Sequence, residues 1–292
     1  MQPVALGGIM LFIQTVISIS SMVLQNCLFN NICKKELTTN DHIYRFNMIM
    51  YAVCIALFGI AVLGGQVSFF TVALGLLFGV ITALSNLYKM RALTSGPMHI
   101  TLLVTTSSMI IPTMSGVFFG ERFSPIKLIL VVFLIGFIYL SFDKTDNNKT
   151  NGKWLFFCVL AFFFQGGIGV LQKIHQSSAC KGELNGFLLV AFACSLVYSR
   201  IRTGKSYREL GFRKKHIMFA IVCGVCTYIM NFLNLKLSGL LPSQLFFPLV
   251  NGSAIVLSSL MSVLFFKEHL SKKQLIGLCG GIVSLIAICF VK

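Results

Sequence analysis

The fold is decided by an uncharged stretch of 43 residues between Arg45 and Lys89, which reads FNMIMYAVCIALFGIAVLGGQVSFFTVALGLLFGVITALSNLY. Two more uncharged runs follow, one of 29 residues between Arg91 and Glu121 and one of 30 residues after Lys236. A helix of about 20 apolar residues crosses the hydrocarbon core of a bilayer. The first run is therefore long enough for two such helices and each later run for one, and the sequence predicts a membrane protein.

The overall composition indicates the same class of protein. Of the 292 residues, 56% are hydrophobic and 11% are charged, and the mean hydropathy is +0.86. Soluble domains carry about twice that share of charge. The net charge of +16 comes from cations that stand between the apolar runs, where they anchor helix ends in the headgroup region. We therefore expect the lipid bilayer as a partner, and no nucleic acid.

Charges, prolines and glycine-rich turns divide the chain into ten predicted transmembrane helices. They lie near 5–29, 42–64, 68–88, 97–119, 125–142, 153–175, 184–200, 216–237, 242–266 and 272–291. Pro112 and Pro248 fall inside predicted helices and should kink them, because proline removes a backbone N–H and its ring clashes with the preceding turn.

Several residues of the first half recur about 145 to 151 positions later. The pairs, in chain order, are Gln14 with Gln165, Thr82 with Thr227, Asn86 with Asn231, and Pro97 with Pro242. A seven-residue pattern, FFGERFS at 118–124, also recurs as FFKEHLS at 265–271, at the ends of the fourth and ninth predicted helices. These matches indicate an internal repeat of five helices.

An odd number of helices per repeat means that the second repeat enters the membrane in the opposite orientation. The predicted fold is therefore an all-α membrane protein with ten transmembrane helices, built from two inverted five-helix repeats. The repeats cover 1–142 and 153–292 and are joined by a linker at 143–152. The symmetry predicts a site between the repeats, near the bilayer midplane.

The chain resembles the EamA-like, ten-helix branch of the drug/metabolite transporter superfamily. The paired patterns at 119–124 and 266–271 carry this resemblance, together with Gln274-Leu275-Ile276-Gly277 at the start of the last predicted helix. Gln165-Gly166-Gly167, followed by Lys173, stands where the family tends to have Trp-Gly-Ser and a similarly placed lysine. The resemblance implies two halves that alternate access to a central cavity.

The resemblance also implies cytoplasmic termini, whereas the positive-inside rule favours the opposite orientation. Of the 24 lysines and arginines, 18 fall in the odd-numbered predicted loops, and seven of these lie between Arg200 and Lys215. This distribution places both termini outside. The orientation of the termini stays open at this stage.

The deep polar residues are neutral, and they are the predicted substrate ligands. They are Gln14, Gln165, Asn86, Asn231, Thr105, Ser108, Gln244 and Asn251. An amide both donates and accepts hydrogen bonds, which suits a zwitterionic or hydroxylated solute better than a bare ion. The alternative role for each amide is an interhelical hydrogen bond, and for Ser and Thr a bond to the carbonyl four residues earlier. Gln14 with Gln165 is the first choice.

Lys173 joins the candidate ligands through the family resemblance. It could attract an anionic carboxylate or phosphate, and the alternative is a lysine that extends to the headgroups. No acidic residue lies deep in a predicted helix, which disfavours a proton-coupled cation exporter. Glu121 and Glu268 are expected to fix the ends of their helices near neighbouring cations, Glu121 beside Arg122 and Lys127.

The sequence predicts no enzyme, no metal and no cofactor. HExxH and GxSxG are both missing from the chain. The CxxC at Cys223 and Cys226 has no second ligand pair near it in the sequence. Most cysteines lie inside apolar runs, as small buried hydrophobic residues do.

The predicted function is secondary transport of small polar organic metabolites, amino acids or related compounds, by alternating access in a bacterial-type cell (inner) membrane. An organic-phosphate or nucleotide-sugar exchanger is an alternative, and it would need Lys173 to line the cavity. A hydrophobic-drug exporter is another, favoured by 28 Phe. A membrane scaffold that transports nothing is the third. The small-molecule substrate, the direction of transport, the coupling ion and the oligomeric state stay open.

Overall fold

The computed structural model describes residues 2–33, 37, 39–62, 67–96, 98–121, 124–140, 152–203, 214–254, 256–257 and 272–291. Within these ranges every regular element is helical, so the predicted all-α fold is confirmed. Pro97, the linker at 143–151 and the second copy of the repeated pattern at 266–271 lie outside the described residues.

The helices follow the predicted segments in order along the chain. They are α1 (Gln2–Cys33), α2 (Asn40–Val62), α3 (Phe69–Ser95), α4 (Met98–Ser107), α5 (Ile110–Ser115), α6 (Pro125–Leu140), α7 (Gly152–Ser177), α8 (Leu184–Thr203), α9 (Lys214–Leu240), α10 (Ser243–Phe247) and α11 (Lys272–Phe290). A 3₁₀ turn at Gly116–Phe119 extends α5, and a π-helical turn at Pro248–Gly252 extends α10.

Six of the described helices are long and apolar enough to cross a membrane, namely α1, α2, α3, α7, α8 and α9. Shorter apolar stretches are present at Val104–Phe119, Pro125–Phe137 and Leu275–Ile288. The outer surface carries large apolar side chains such as Phe12 and Phe163, which are 70% and 61% exposed. Inside, Ser18 and Ser195 are fully buried. This inverted distribution is expected of a multi-pass membrane protein, because lipid is the solvent of its outer face.

The fourth predicted helix, 97–119, is not continuous. Helix α4 ends at Ser107, a turn occupies Ser108 and Met109, and α5 then begins at Ile110. The physical reason is Pro112, whose missing N–H leaves the carbonyl of Ser108 without its helical donor. The predicted kink is a short turn between two helical segments, in which the Met109 N–H donates to the Thr106 carbonyl three residues earlier.

Several helices continue beyond the first cation, which is where the sequence prediction ended them. Lys89 and Arg91 lie inside α3, which runs to Ser95, and Arg202 lies inside α8, which runs to Thr203 instead of ending at Arg200. Lysine and arginine are good helix formers, and their long stems let the charge leave an apolar environment while the backbone stays helical. Predicted boundaries based on charge are too short for these helices.

Helix packing brings early and late elements of the chain together. Helix α2 packs on α8, α3 packs on both α7 and α8, and α9 packs on both α1 and α2. Helix α6 packs on α11, and α5 packs on α10. The ring of Phe58 stacks on Phe192 with centroids 5.9 Å apart and contacts Tyr228 at 4.5 Å, which ties α2 to α8 and α9.

The contact between α3 and α8 depends on Gly79, which belongs to a face of small residues on α3 together with Gly75 and Ala83. A Cβ atom on Gly79 would clash with the carbonyl oxygen of Ala191 and would lie 2.7 Å from the Cβ of Cys194. The hydroxyl of Ser195 donates a 2.8 Å hydrogen bond to the Gly79 carbonyl across the same contact. Small residues at such positions let two helix backbones approach closely.

We expect Gly79→Ala to destabilise the protein by about 1–3 kcal/mol, because the added methyl overpacks a backbone contact. Alanine is otherwise the better helix former by about 1 kcal/mol. Gly59→Ala on α2 is the matched control, since a Cβ there meets nothing within 4 Å, and it should be neutral or stabilising. The melting temperature of each variant is measured in detergent, with a dye that labels buried cysteines such as Cys54 when the protein unfolds. Equal melting temperatures for the two variants would contradict this account.

Candidate functional site

A cavity of about 70 Å³ lies between α1, α3, α7, α9, the turn that joins α4 to α5, and α10 with its π-helical turn. That volume is room for several water-sized groups. Its polar wall residues are Gln25, Thr82, Asn86, Ser108, Gln165, Gln172, Thr227, Asn231, Asn234 and Asn251. Its apolar wall residues are Met22, Met109, Pro112, Ile168, Gly169, Met230, Phe246 and Phe247.

The wall of this cavity carries no charged side chain among the described residues. Its polar groups are amides and hydroxyls, which donate and accept hydrogen bonds without net charge. An ion with one sign of charge would find no counter-ion there, and burying an unpaired charge is costly. A solute with balanced charges, or with none, meets no such penalty.

Hydrogen bonds to neighbouring helices hold several wall residues in place. Ser85 donates to Gln165 Oε1 at 2.9 Å, which joins α3 to α7. The Asn86 amide donates to the hydroxyl of the fully buried Tyr51 at 2.8 Å. Ser18 on α1 donates to Oδ1 of Asn234 on α9. Each bond uses one polar group of the wall and fixes the side chain, so the remaining groups face the cavity in defined positions.

The structure brings five of the nine predicted ligands to one cavity. They are Asn86, Ser108, Gln165, Asn231 and Asn251. Thr82 and Thr227, the threonines that share their helix faces with the two repeated asparagines, also line it. The turn between α4 and α5 and the π-helical turn contribute Ser108 and Asn251 to the wall, as expected where irregular backbone lines a cavity.

The other four predicted ligands lie outside the cavity wall. Gln14 is half-buried on α1 and does not reach the cavity. Thr105 is buried and donates to the Thr101 carbonyl at 2.9 Å, the backbone role given above as its alternative. Gln244 accepts a 3.1 Å hydrogen bond from the backbone N–H of Ser124. Lys173, the fourth, forms an ion pair.

Sequence reasoning missed Gln25, Gln172 and Asn234 as wall residues. Gln25 and Gln172 are 147 residues apart, which is the separation of the repeated seven-residue pattern. The sequence alignment instead paired Gln14 with Gln165, four residues away from that register. The offset of 147 was therefore the signal that could have found Gln25 and Gln172. One helical turn is enough to move a side chain to a different level of the bundle.

An ion pair between a buried lysine and a partly buried glutamate lies beyond one end of the cavity. Lys173 Nζ pairs with the Glu121 carboxylate and donates to the Ser238 carbonyl oxygen at 3.0 Å. The same carboxylate accepts hydrogen bonds from the Ser243 backbone N–H at 2.7 Å and from its hydroxyl at 3.1 Å. Gly116 leaves room for this arrangement, because a Cβ there would lie 2.9 Å from the Cβ of Ser243.

The ion pair sits about one helical turn past the wall. Ser238 follows the wall residue Asn234 by four positions, and Ser243 precedes the wall residue Phe247 by four. Lys173 directly follows a wall glutamine on α7. The sequence prediction placed Glu121 near cations on its own side of the chain, whereas its partner is a lysine of the second half. The pair therefore joins both predicted repeats across this end of the cavity.

A second carboxylate joins the same two halves at the end of the bundle where α7 ends. Glu183 accepts hydrogen bonds from the backbone N–H and the hydroxyl of Ser68, both at 2.8 Å. Hydrogen bonds from Thr71 and from the Ser68 backbone hold the pKa of Glu183 below its ordinary value. Glu183 therefore stays ionised at neutral pH and ties the start of α3 to the start of α8.

Comparisons with known proteins bear on the fold. One solved crystal structure, described only as that of a protein, matches with a TM-score of 0.73 over 95% of this chain and 96% of that chain, at 13% sequence identity. At this identity the likeness shows the fold alone. No family model matches the chain, and no curated protein sequence matches it.

We expect Lys173→Met to destabilise the protein by about 1–3 kcal/mol, because it leaves the partly buried Glu121 carboxylate without its counter-ion. The double variant Lys173→Met/Glu121→Gln should recover part of that loss, since it removes both charges. Lys153→Met is the matched control, because Lys153 lies exposed at the start of the same helix. Thermal unfolding in detergent ranks the three variants. A single variant as stable as the control would show that the ion pair does not hold this end of the bundle together.

Proposed function

We propose that this protein is a secondary transporter of small polar organic solutes that carry no net charge, with amino acids as the first class to test. The observation that carries the proposal is the cavity walled by amides and hydroxyls inside a bundle with an apolar outer surface. Pockets of this kind hold small ligands through a few fixed polar groups and a larger apolar wall. The absence of a charged group among the described wall residues favours zwitterions and hydroxylated compounds over ions.

The proposal includes the inverted repeat of five helices. Helix packing supports it, because exchanging the two halves converts one set of contacts into the other. The pairing of α3 with α7 corresponds to that of α9 with α1, and the pairing of α3 with α8 to that of α9 with α2. The pairs α2 with α8, α5 with α10 and α6 with α11 correspond to themselves. Inverted repeats of this kind allow a transporter to open a fixed site to either side in turn.

The proposed mechanism is alternating access by movement of one half against the other. Glu121 and Glu183 support it, since each binds a residue of the other half at the end of the bundle where α7 ends. For that end to open, the contacts of Glu121 with Lys173 and Ser243 would have to separate. Such an ionic contact favours one closed state, and solute binding shifts the balance between states.

The lysine contact disfavours organic-phosphate exchange. That function needed Lys173 as a cavity cation, and its Nζ is instead engaged by Glu121 and by the Ser238 carbonyl. A hydrophobic-drug exporter is disfavoured by the ten amide and hydroxyl residues in the wall, because an apolar solute would leave them unpaired.

We expect the purified protein in proteoliposomes to take up labelled neutral L-amino acids by exchange, without a pH gradient. Gln165→Ala and Asn231→Ala should each lower the initial rate about tenfold, the equivalent of one lost hydrogen bond to the solute. Asn31→Ala is the control, since Asn31 is exposed on α1 and its one hydrogen bond within the described residues is to the Cys27 carbonyl.

Rates in the two wall variants equal to that of Asn31→Ala would count against this cavity as the transport site. Export of cationic dyes that depends on a pH gradient, with no amino-acid exchange, would contradict the proposed class of solute. Gln14→Ala tests the sequence-derived pairing separately, because Gln14 lies outside the wall. A loss of transport in that variant would favour the pairing of Gln14 with Gln165.

A further inference from the structure

Among the described residues, every buried threonine except Thr82 has a hydrogen-bond partner. The hydroxyl donates to the carbonyl four residues earlier at Thr15, Thr105, Thr113, Thr203 and Thr227, over distances from 2.6 to 2.9 Å. Such bonding is the ordinary way for a helical threonine to satisfy its hydroxyl. The Thr82 hydroxyl is buried and has no hydrogen-bond partner among the described residues, and Thr82 lines the cavity.

The contrast with Thr227 is informative because the two threonines are repeat counterparts, 145 residues apart. Thr227 donates to the Cys223 carbonyl and accepts a hydrogen bond from the Gln25 amide. At the offset of 147, the counterpart of Gln25 is Gln172, which lines the same cavity as Thr82. No hydrogen bond joins Gln172 to Thr82 within the described residues. One half of the cavity therefore has a completed amide–hydroxyl pair, and the other half has the same two groups unpaired.

An unpaired buried hydroxyl is unfavourable, and native proteins rarely keep one without a reason. Water or a ligand is the usual partner of such a group. Thr82 can donate one hydrogen bond and Gln172 can donate two, and neither carries charge. Groups of this kind bind an oxygen that accepts hydrogen bonds.

We propose that the Thr82 hydroxyl and the Gln172 amide form a substrate subsite that binds an acceptor oxygen of the solute, such as a carboxylate or hydroxyl oxygen. This inference rests on the proposed transport function and names the residues that choose its substrate. In this state the Thr227 hydroxyl is already bonded to the Gln25 amide and does not need a hydrogen bond from the solute. Specificity then comes from the half with the unpaired hydroxyl, because a solute without the oxygen leaves the buried Thr82 hydroxyl unsatisfied.

The test compares Thr82→Val with Thr203→Val in the full-length protein. Valine has nearly the shape of threonine but lacks the hydroxyl. Thr203 is buried on α8, donates to the Ser199 carbonyl at 2.8 Å and does not line the cavity. Without solute, we expect Thr82→Val to melt at or above the wild-type temperature, because it removes an unpaired polar group, and Thr203→Val to melt below it. A Thr82→Val protein that melts as far below wild type as Thr203→Val would overturn the inference.

The second arm adds a mixture of neutral L-amino acids and measures the rise in melting temperature. We expect the solute concentration needed for half of that rise to increase about tenfold in Thr82→Val, the equivalent of one hydrogen bond. Thr203→Val and Thr82→Ser should respond as wild type does, since serine keeps the hydroxyl. An unchanged response in Thr82→Val would overturn the subsite while leaving the proposed function intact. A wild-type protein that responds to no amino acid would instead contradict the proposed class of solute. The melting temperatures of Thr82→Val, Thr203→Val and wild type without solute would still decide whether the Thr82 hydroxyl is unpaired.

Discussion

Lipid offers no hydrogen-bond partner to a peptide group, and the architecture of this chain follows from that constraint. Long apolar helices satisfy their own backbones and face the bilayer with side chains such as Phe12 and Phe163. The backbone departs from regular α-helix next to Pro112 and from Pro248 to Gly252, where the chain lines the central cavity. Irregular backbone is tolerated there because neighbouring helices and water satisfy the freed groups. The prolines thus leave backbone polar groups without helical partners close to the cavity.

The same constraint separates charge from the cavity. The wall is made of neutral amides and hydroxyls, while the nearest described ion pair, Lys173 with Glu121, lies one turn beyond it and is neutralised by its own contacts. A charge in the wall would hold any oppositely charged solute strongly in a low dielectric. Neutral groups bind more weakly and in fixed directions, which is compatible with a solute that has to leave as well as enter.

The sequence predicted the helices well because apolar runs of membrane length have few alternative folds. It also predicted Asn86 and Asn231 as wall residues, since amides deep in apolar runs face other helices and not lipid. The predicted ligand Gln14 lies outside the described wall, because one repeat match without a second residue in the same register does not fix the turn of the helix. The contact of Lys173 with Glu121 could not be predicted, because an ion pair between distant helices depends on tertiary packing that sequence spacing does not contain.

The predicted repeat symmetry suggests how the hydrogen-bond partner of the Thr82 hydroxyl would change during transport. If the two predicted repeats exchange conformations during transport, the Gln25–Thr227 bond on one side has Gln172 and Thr82 as its counterpart on the other. In the opposite state of the proposed cycle, Gln172 would then bond to Thr82 while Gln25 releases Thr227. The number of internal amide–hydroxyl bonds would stay constant, so this set of bonds would favour neither state over the other. The unpaired set would move to the other half, and a solute oxygen that replaces the missing bond would stabilise whichever state it occupies.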